Sequence, residues 1–413
     1  MLISIVIPSR DRVHYLRHSV ATALAIPDSE IEVIVSDNAS FDDTEEVIKS
    51  IKDKRLKYVN TGARLSMRAN FEIALNACSG DYIIFFGDDD GIIPGQFADL
   101  RYILTQHKPD VLSWEFLTYG WPINGYGKKT GGLRFERDKL FGGVKQSIPN
   151  EYRGTILQAN FDRNSLLPRL YHGAMSRNFL DSLVNKDGLY FCSRSPDLHI
   201  SFRAAQKGGS FLRIDHPFSI NGYSPASTGG GLQSQGQNAK RHGKDRRFLA
   251  ESEADPIQDI IPLSKSLGLG FLSAVETIRH HFPKPELLPN YVRWYSWVLD
   301  DAAKKDSTTS AEIMKSAHDY ATFSSTEAQL NQAIAAHKPI YRKLHNLKLK
   351  LKTKPFSFRV NTEIDGENTI FTATTVCDQI LGNDIRDRLV QNKSRRSCWV
   401  TAKKRGKMFK REL

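Results

Sequence analysis

Asp81-Tyr82-Ile83-Ile84-Phe85-Phe86-Gly87-Asp88-Asp89-Asp90-Gly91-Ile92-Ile93-Pro94-Gly95 is an apolar run that stops abruptly in three carboxylates. A short, β-rich and nearly unbroken apolar run predicts a strand covered on both faces. Like charges crowded at the end of such a strand repel one another and lose solvation, which is costly unless a hard divalent cation neutralises them. Oxygen ligands suit Mg²⁺ or Mn²⁺. Side chains two residues apart in an extended segment point the same way, which assigns Asp88 and Asp90 to one ion.

Upstream, Ile3 to Ile7, Ile31 to Val35 and Leu56 to Val59 have the same strand character. Helical periodicity separates them, over about 14–25 and 43–52, and returns over about 68–77. This alternation predicts an α/β doubly wound domain, with a mostly parallel sheet flanked by helices. Ligands of such sheets bind beyond the carboxyl ends of the strands. Three polar clusters fall there: Pro8-Ser9-Arg10-Asp11, Ser36-Asp37-Asn38 and Gly87 to Asp90. Neither GxGxxG nor GxxxxGK[ST] is present, which argues against a dinucleotide fold and a P-loop.

Downstream, a helix is expected over about 195–207, with Pro196 in its first turn where a missing N–H costs little. Residues 222–245, rich in Gly, Ser, Gln and Asn, read as a surface loop. Beyond about 247 the pattern is mainly helical, over 256–282, 286–304, 309–322 and 326–350. With 413 residues and 40% hydrophobic content the chain is long enough for a full α/β domain and a smaller unit. The expected division is a catalytic unit over 1–235, a helical region over 236–385 and a basic tail without fixed structure over 386–413.

Nothing resembles a signal peptide, and no window approaches a membrane span. Cys78, Cys192, Cys377 and Cys398 are scattered without a CxxC pair, which fits a cytoplasmic chain. The formal charge of +12 comes from the end of the sequence. Residues 1–337 hold 39 basic and 39 acidic residues, whereas 386–413 hold eleven basic against two acidic. Adhesion to an anionic surface is expected there rather than at the active site.

Four of these elements, in this order and spacing, resemble the inverting nucleotide-sugar glycosyltransferases of family 2, which have the GT-A fold. They are Ser4 to Arg12, Ile34 to Thr44, Arg68-Ala69-Asn70 through Ile83, and Asp88 to Asp90, and the resemblance covers roughly residues 1–225. It implies a hexosyltransferase-type enzyme that uses a nucleoside-diphosphate sugar, with a UDP-sugar as the foremost candidate. It places Pro8, Ser9, Arg10 and Asp37 at the nucleotide base, and Arg68 and Asn70 near the donor. Asp88 and Asp89 fall to the ribose and diphosphate, and Asp88 and Asp90 to the Mn²⁺ or Mg²⁺ of the DXD motif.

The resemblance also places a general base at the start of a helix after this motif. Asp197, in Ser195-Pro196-Asp197-Leu198-His199, matches that aspartate, although Pro196 stands where the family usually has Glu. The Gln-x-x-Arg-Trp signature of processive synthases is missing, which implies transfer of a single sugar to a saccharide or lipid-linked saccharide, in cell-surface polysaccharide synthesis.

Each motif also has a plainer reading. Asp37-Asn38 and Ser40 could be a turn and helix cap, Asp197 a dipole-favoured first-turn acid, and His216 a structural histidine rather than one near the acceptor. The loop around Ser227 to Gly231 closes over the donor in one reading and merely connects in the other. Leu and Lys alternate helically through Tyr341 to Lys352, as in helices that lie on anionic membranes, so peripheral attachment at the inner membrane face is one expectation. Competing classes are a nucleotidyltransferase, whose Gly-rich first loop is missing, and a basic scaffold or nucleic-acid binder. Only Trp399 and Phe409 interleave the last cations, which is poor support for stacking on bases.

Overall fold

The computed structural model describes residues 1–122, 131–147, 149–160, 167–224, 250–284, 287–337 and 356–409. The expected segments Ser227 to Gly231 and Tyr341 to Lys352 lie outside the described residues.

The chain begins β1 (Ile3–Ser9), α1 (Val13–Leu24), β2 (Ile31–Asp37), α2 (Thr44–Ser50), β3 (Leu56–Asn60), α3 (Met67–Asn76) and β4 (Tyr82–Phe85), the predicted alternation. β5 (Gly91–Ile92), α4 (Phe97–His107), β6 (Val111–Gly120), β7 (Gly132–Glu136) and β8 (Val144–Gln146) follow. Next come α5 (Pro149–Leu157), β9 (Gly173–Ser176), α6 (Arg177–Asp181), α7 (Pro196–Lys207) and β10 (Phe211–Tyr223). Four helices then run α8 (Leu267–His281), α9 (Tyr291–Ala302), α10 (Ser307–Phe323) and α11 (Glu327–Ala336). The chain closes with β11 (Ser357–Asn361), α12 (Ile370–Leu381), α13 (Asp384–Val390) and α14 (Arg395–Gly406).

All strands join one sheet with the order β11-β7-β6-β9-β4-β1-β2-β3, and β10 pairs with β5, β6 and β8. The half built from β1 to β4 is parallel, whereas β9 and β7 run against it, so the sheet is mixed. Alternate residues of the parallel strands feed two cores, as a period of two requires. Ile5, Ile7, Val33, Val35, Ile84 and Phe86 face one side, and Val6, Ile34, Ile83 and Phe85 the other.

The first face is covered by α1, α4 and the C-terminal helices, whose Ile370, Val376, Ile380, Cys398 and Trp399 share its core. The second is covered by α3, α7 and the helices from α8 to α11. The chain from 357 onward is thus built into the sheet, contributing β11 beside β7 in register from Ser357 opposite Glu136.

Two expectations are corrected here. The helix expected over 256–282 begins at Leu267, because Pro256 and Pro262 withhold N–H groups upstream and Ser266 caps the first turn through Leu269 N–H. The tail expected to lack fixed structure is helical over Arg395–Gly406 and buries Cys398, Trp399 and Ala402. Charge density read as disorder, but these apolar residues at helical spacing make an inner face. Residues 410–413 lie outside the described residues.

Candidate active site

β1, β2 and β4 end together. Pro8 lies opposite Ser36 and Ser9 opposite Asp37, and the acidic loop Gly87 to Asp90 leaves β4 beside them. All three aspartates of that loop are buried. Ser9 Oγ donates to Asp88 Oδ2 at 2.7 Å. Arg12, at the N-cap of α1, lays its guanidinium across the next two carboxylates, with Nη1 2.7 Å from Asp88 Oδ1 and Nη2 2.8 Å from Asp89 Oδ2. Ser224, at the end of β10, donates to Asp89 Oδ2 at 2.6 Å and accepts from Arg12 Nη2 at 3.1 Å.

Burial disfavours the charge on Arg12, but Asp88 and Asp89 outweigh it and hold the guanidinium protonated more firmly than in water. Burial also pushes the Asp88 carboxyl up, with Asp89 and Asp90 adding to the push and Arg12 opposing it.

Asp90 behaves differently. Its carboxylate accepts from Gly87 N–H at 2.7 Å, Tyr171 Oη at 2.6 Å, Gly222 N–H at 2.7 Å and Asn221 Nδ2 at 3.2 Å, with His172 Nε2 at 3.3 Å. Burial works against its ionisation, yet His172, Tyr171 and Gly87 hold it below the ordinary carboxylate range. The Asp90 carboxylate thus ties the acidic loop to residues 171–172 and to β10. Residues 88 and 89 form a turn rather than a continuation of the strand. Gly222 makes this knot possible, since a Cβ there would lie 1.7 Å from the Asp89 carbonyl oxygen.

Asp88 and Asp89 keep the chemistry that suits a hard divalent ion, two buried and adjacent carboxylates at a strand end. Among the described residues no group of three His, Cys, Asp or Glu side chains is arranged as a ready-made cage, so such an ion would need ligands from a substrate or water as well.

Asp197 lies in the first turn of α7, half-buried, with its carboxylate receiving the backbone N–H groups at 197 and 198. Burial nevertheless raises its pKa. The half-buried Tyr171 donates its hydroxyl to Asp90, and burial together with Asp90 and Asp89 pushes its pKa up.

The other expected residues are distributed unevenly. Asp37 is buried, accepting from Tyr58 Oη at 2.6 Å and from Ser40 N–H at 3.0 Å. Arg10 pairs with Glu251. Arg68 is buried against Asp255, 2.8 Å from Nε to Oδ2, and Asn70 accepts from Ser36 Oγ at 2.7 Å, stapling α3 to β2. The structure thus gives Arg68 and Asn70 partners within the protein and brings neither to the carboxylates. His216 is buried, with Nε2 3.1 Å from Gln96 Oε1 and Nδ1 accepting from Phe141 N–H, and burial drives its pKa down to about 3, the structural histidine of the plainer reading.

Arg12, Tyr171, His172, Ser224, Glu251 and Asp255 were not assigned from sequence. Arg12 alone gave a signal, since it closes the first motif. The others reach the site from segments far along the chain.

Residues 4–175 match the family model of glycosyl transferase family 2. The match is to the amino-terminal part of the chain. A GalNAc(5)-diNAcBac-PP-undecaprenol beta-1,3-glucosyltransferase of Campylobacter jejuni is 29% identical over 101 residues, covering 24% of this chain and 33% of that protein. A UDP-Glc:alpha-D-GlcNAc-diphosphoundecaprenol beta-1,3-glucosyltransferase of Escherichia coli is 32% identical over 157 residues, 38% of this chain and 56% of that protein. The matched part of the chain thus spans between a third and little more than half of those relatives. The crystal structure of S. aureus TarS 1-349 with UDP-GlcNAc superposes at a TM-score of 0.44 with 14% identity, over 81% of this chain and 90% of that one.

Proposed function

We propose that this family 2 chain transfers one sugar, with inversion, from a nucleoside-diphosphate donor to a hydroxyl of a lipid-linked saccharide. The observation that supports this reading is the buried pair Asp88 and Asp89 just beyond the carboxyl end of a parallel strand, beside Ser9 and Asp37 at the ends of its neighbours. The lipid-linked acceptor is suggested by the two glucosyltransferases above, whose names carry undecaprenol-linked diphosphates. A place at the cytoplasmic face of a membrane, in cell-surface polysaccharide synthesis, goes with that acceptor.

In this mechanism Pro8, Ser9, Arg10 and Asp37 form the base and ribose side of the donor site, and Asp88 and Asp89 face the diphosphate. A divalent cation, Mn²⁺ or Mg²⁺, held by Asp88 and Asp89 supplies neutralisation of diphosphate charge. Asp197 takes the proton of the acceptor hydroxyl as its oxygen bonds to the anomeric carbon. The bond from that carbon to the diphosphate oxygen breaks on the opposite face, and its electron pair leaves with the diphosphate. A carboxyl raised by burial is a stronger base than one in water, which suits this role. The catalytic unit takes in residues 1–224 together with the C-terminal strand and helices packed on its sheet.

A panel of nucleotide sugars tested for binding with Mn²⁺ or chelator, and for transfer to undecaprenyl-diphosphate saccharides, decides the matter. Asp89→Asn is expected to lose donor binding. Asp197→Asn is expected to keep it while transfer falls about 10²- to 10⁴-fold. Because Asp197 must be ionised to act and its pKa is raised, the acid limb of the wild-type rate should lie above the ordinary value of about 4. Failure of every form to bind any nucleotide sugar overturns the proposal, and an unchanged rate in Asp197→Asn removes that residue from it.

A further inference from the structure

α14 has two unlike faces. Cys398, Trp399, Ala402 and Gly406 are buried, with Trp399 5.3 Å from the Phe358 ring and Gly406 so close to β11 that a Cβ would meet that ring at 2.5 Å. The outward face carries Arg396, Val400, Lys403, Lys404 and, in the turn that follows, Lys407 and Met408. Residues 395–409 contain six cations and no acid.

Two of those cations are engaged internally. Arg395 donates to the Leu140 and Asp138 carbonyls, and Arg405 reaches Asp384 at 2.6 Å. Arg396, Lys403, Lys404 and Lys407 make no ion pair among the described residues. The helix dipole explains Lys403 and Lys404, which sit in the last turn. It does not explain Arg396, a first-turn cation that the positive end of the helix disfavours. Between these charges stand Val400 and Met408, 58% and 74% exposed. Arg396, Val400, Lys404 and Met408 follow at intervals of four and form one stripe, in which cations alternate with apolar groups.

We propose that this outward face of α14 docks the protein on an anionic lipid bilayer. Headgroup phosphates complement the four unneutralised cations, and Val400 and Met408 enter the headgroup boundary, an arrangement a purely electrostatic surface does not need. Nucleic acid fits less well, because the aromatic ring of the helix, Trp399, is turned inward and offers no stacking face. The inference rests on the lipid-linked acceptor reading, since such an acceptor resides at the surface that α14 would bind.

The test is flotation of the full chain with vesicles of phosphatidylcholine alone or of phosphatidylcholine and phosphatidylglycerol in equal parts, for wild type and for R396E/K403E/K404E/K407E. Each Lys or Arg near an anionic surface is worth about a fivefold gain in partitioning. Wild type should therefore float with the anionic vesicles alone and detach in high salt, and the variant should lose at least about a hundredfold in affinity. An unchanged melting temperature shows that the variant is folded. Equal flotation of both proteins, absence of wild-type flotation, or retention on a polyanion such as heparin without vesicle binding would each overturn the proposal. Nucleotide-sugar binding, measured on the same variant, should be unchanged, so failure of docking is distinguishable from failure of the transferase reading.

Discussion

At the residue scale the informative side chain is Arg12. Its two short contacts span Asp88 and Asp89 and oppose the push that burial gives the Asp88 carboxyl. Removing one partner of a buried, hydrogen-bonded charge cluster costs about 3–5 kcal/mol, because the remaining charges stay desolvated. Arg12→Ala is therefore expected to melt well below wild type in chelator. Mn²⁺ should recover part of that loss, since a divalent ion can replace the lost positive charge beside Asp88 and Asp89, whereas wild type gains less from the ion. Thermal melting with and without Mn²⁺ checks this, and an Arg12→Ala protein that melts like wild type and ignores the ion would contradict it. Sequence reading found the crowding of the aspartates but assigned its relief to a cation alone. The guanidinium is 76 residues upstream of Asp88, and only the packing of α1 beside β4 brings it there.

At the scale of elements, the two ends of the parallel strands treat carboxylates in opposite ways. Near the amino end of β2, Glu32 accepts from Ser4 Oγ at 2.5 Å, Ser79 N–H at 2.6 Å, Ser79 Oγ at 2.7 Å and Lys57 Nζ at 2.5 Å. Burial opposes its charge, but these donors prevail and lower its pKa to about 2. It ties β1, β2, β3 and the turn before β4 into one unit, which is a stabilising task. Beyond the carboxyl end of β4 burial instead pushes the Asp88 carboxyl up.

Since the folded pKa of Glu32 lies below the unfolded value, its contribution is fully present above about pH 4.5 and is lost as pH falls toward 2. Glu32→Gln should cost about 2 kcal/mol at neutral pH, allowing for the exposure of Lys57, and the difference from wild type should vanish near pH 2. Denaturant titrations of both proteins across that range measure it; a difference that does not change with pH would show that shape rather than charge is what Gln loses. The alternation of strands and helices was legible because each strand is an unbroken apolar run. The network of Glu32 was not, since Ser4, Ser79 and Lys57 carry no pattern until the strands are in register.

For the whole molecule, the C-terminal segment was the least legible part, and the reason is physical. Helical periodicity announces that a face will be buried but not which surface will bury it, and α12 is apolar enough to suit several. In the structure it closes the first face of the sheet, burying Ile370, Ala373, Val376, Cys377, Ile380 and Leu381 against the core that holds Ile5, Val33 and Ile84. Asp378 pins it further, accepting from Gly95 N–H at 2.7 Å. Burying one Val, Ile or Leu contributes roughly 1.5–3 kcal/mol, so this helix alone is worth about as much as the net stability of a typical domain, about 5–15 kcal/mol. A chain ended at residue 355 should accordingly fail to fold as a soluble, cooperatively melting unit, although the whole segment matched by the family, residues 4–175, is retained. If that shortened chain instead melted in one sharp transition and still bound a nucleotide sugar, the strand β11 and the helices after it would be an attachment to the transferase domain rather than half of its core.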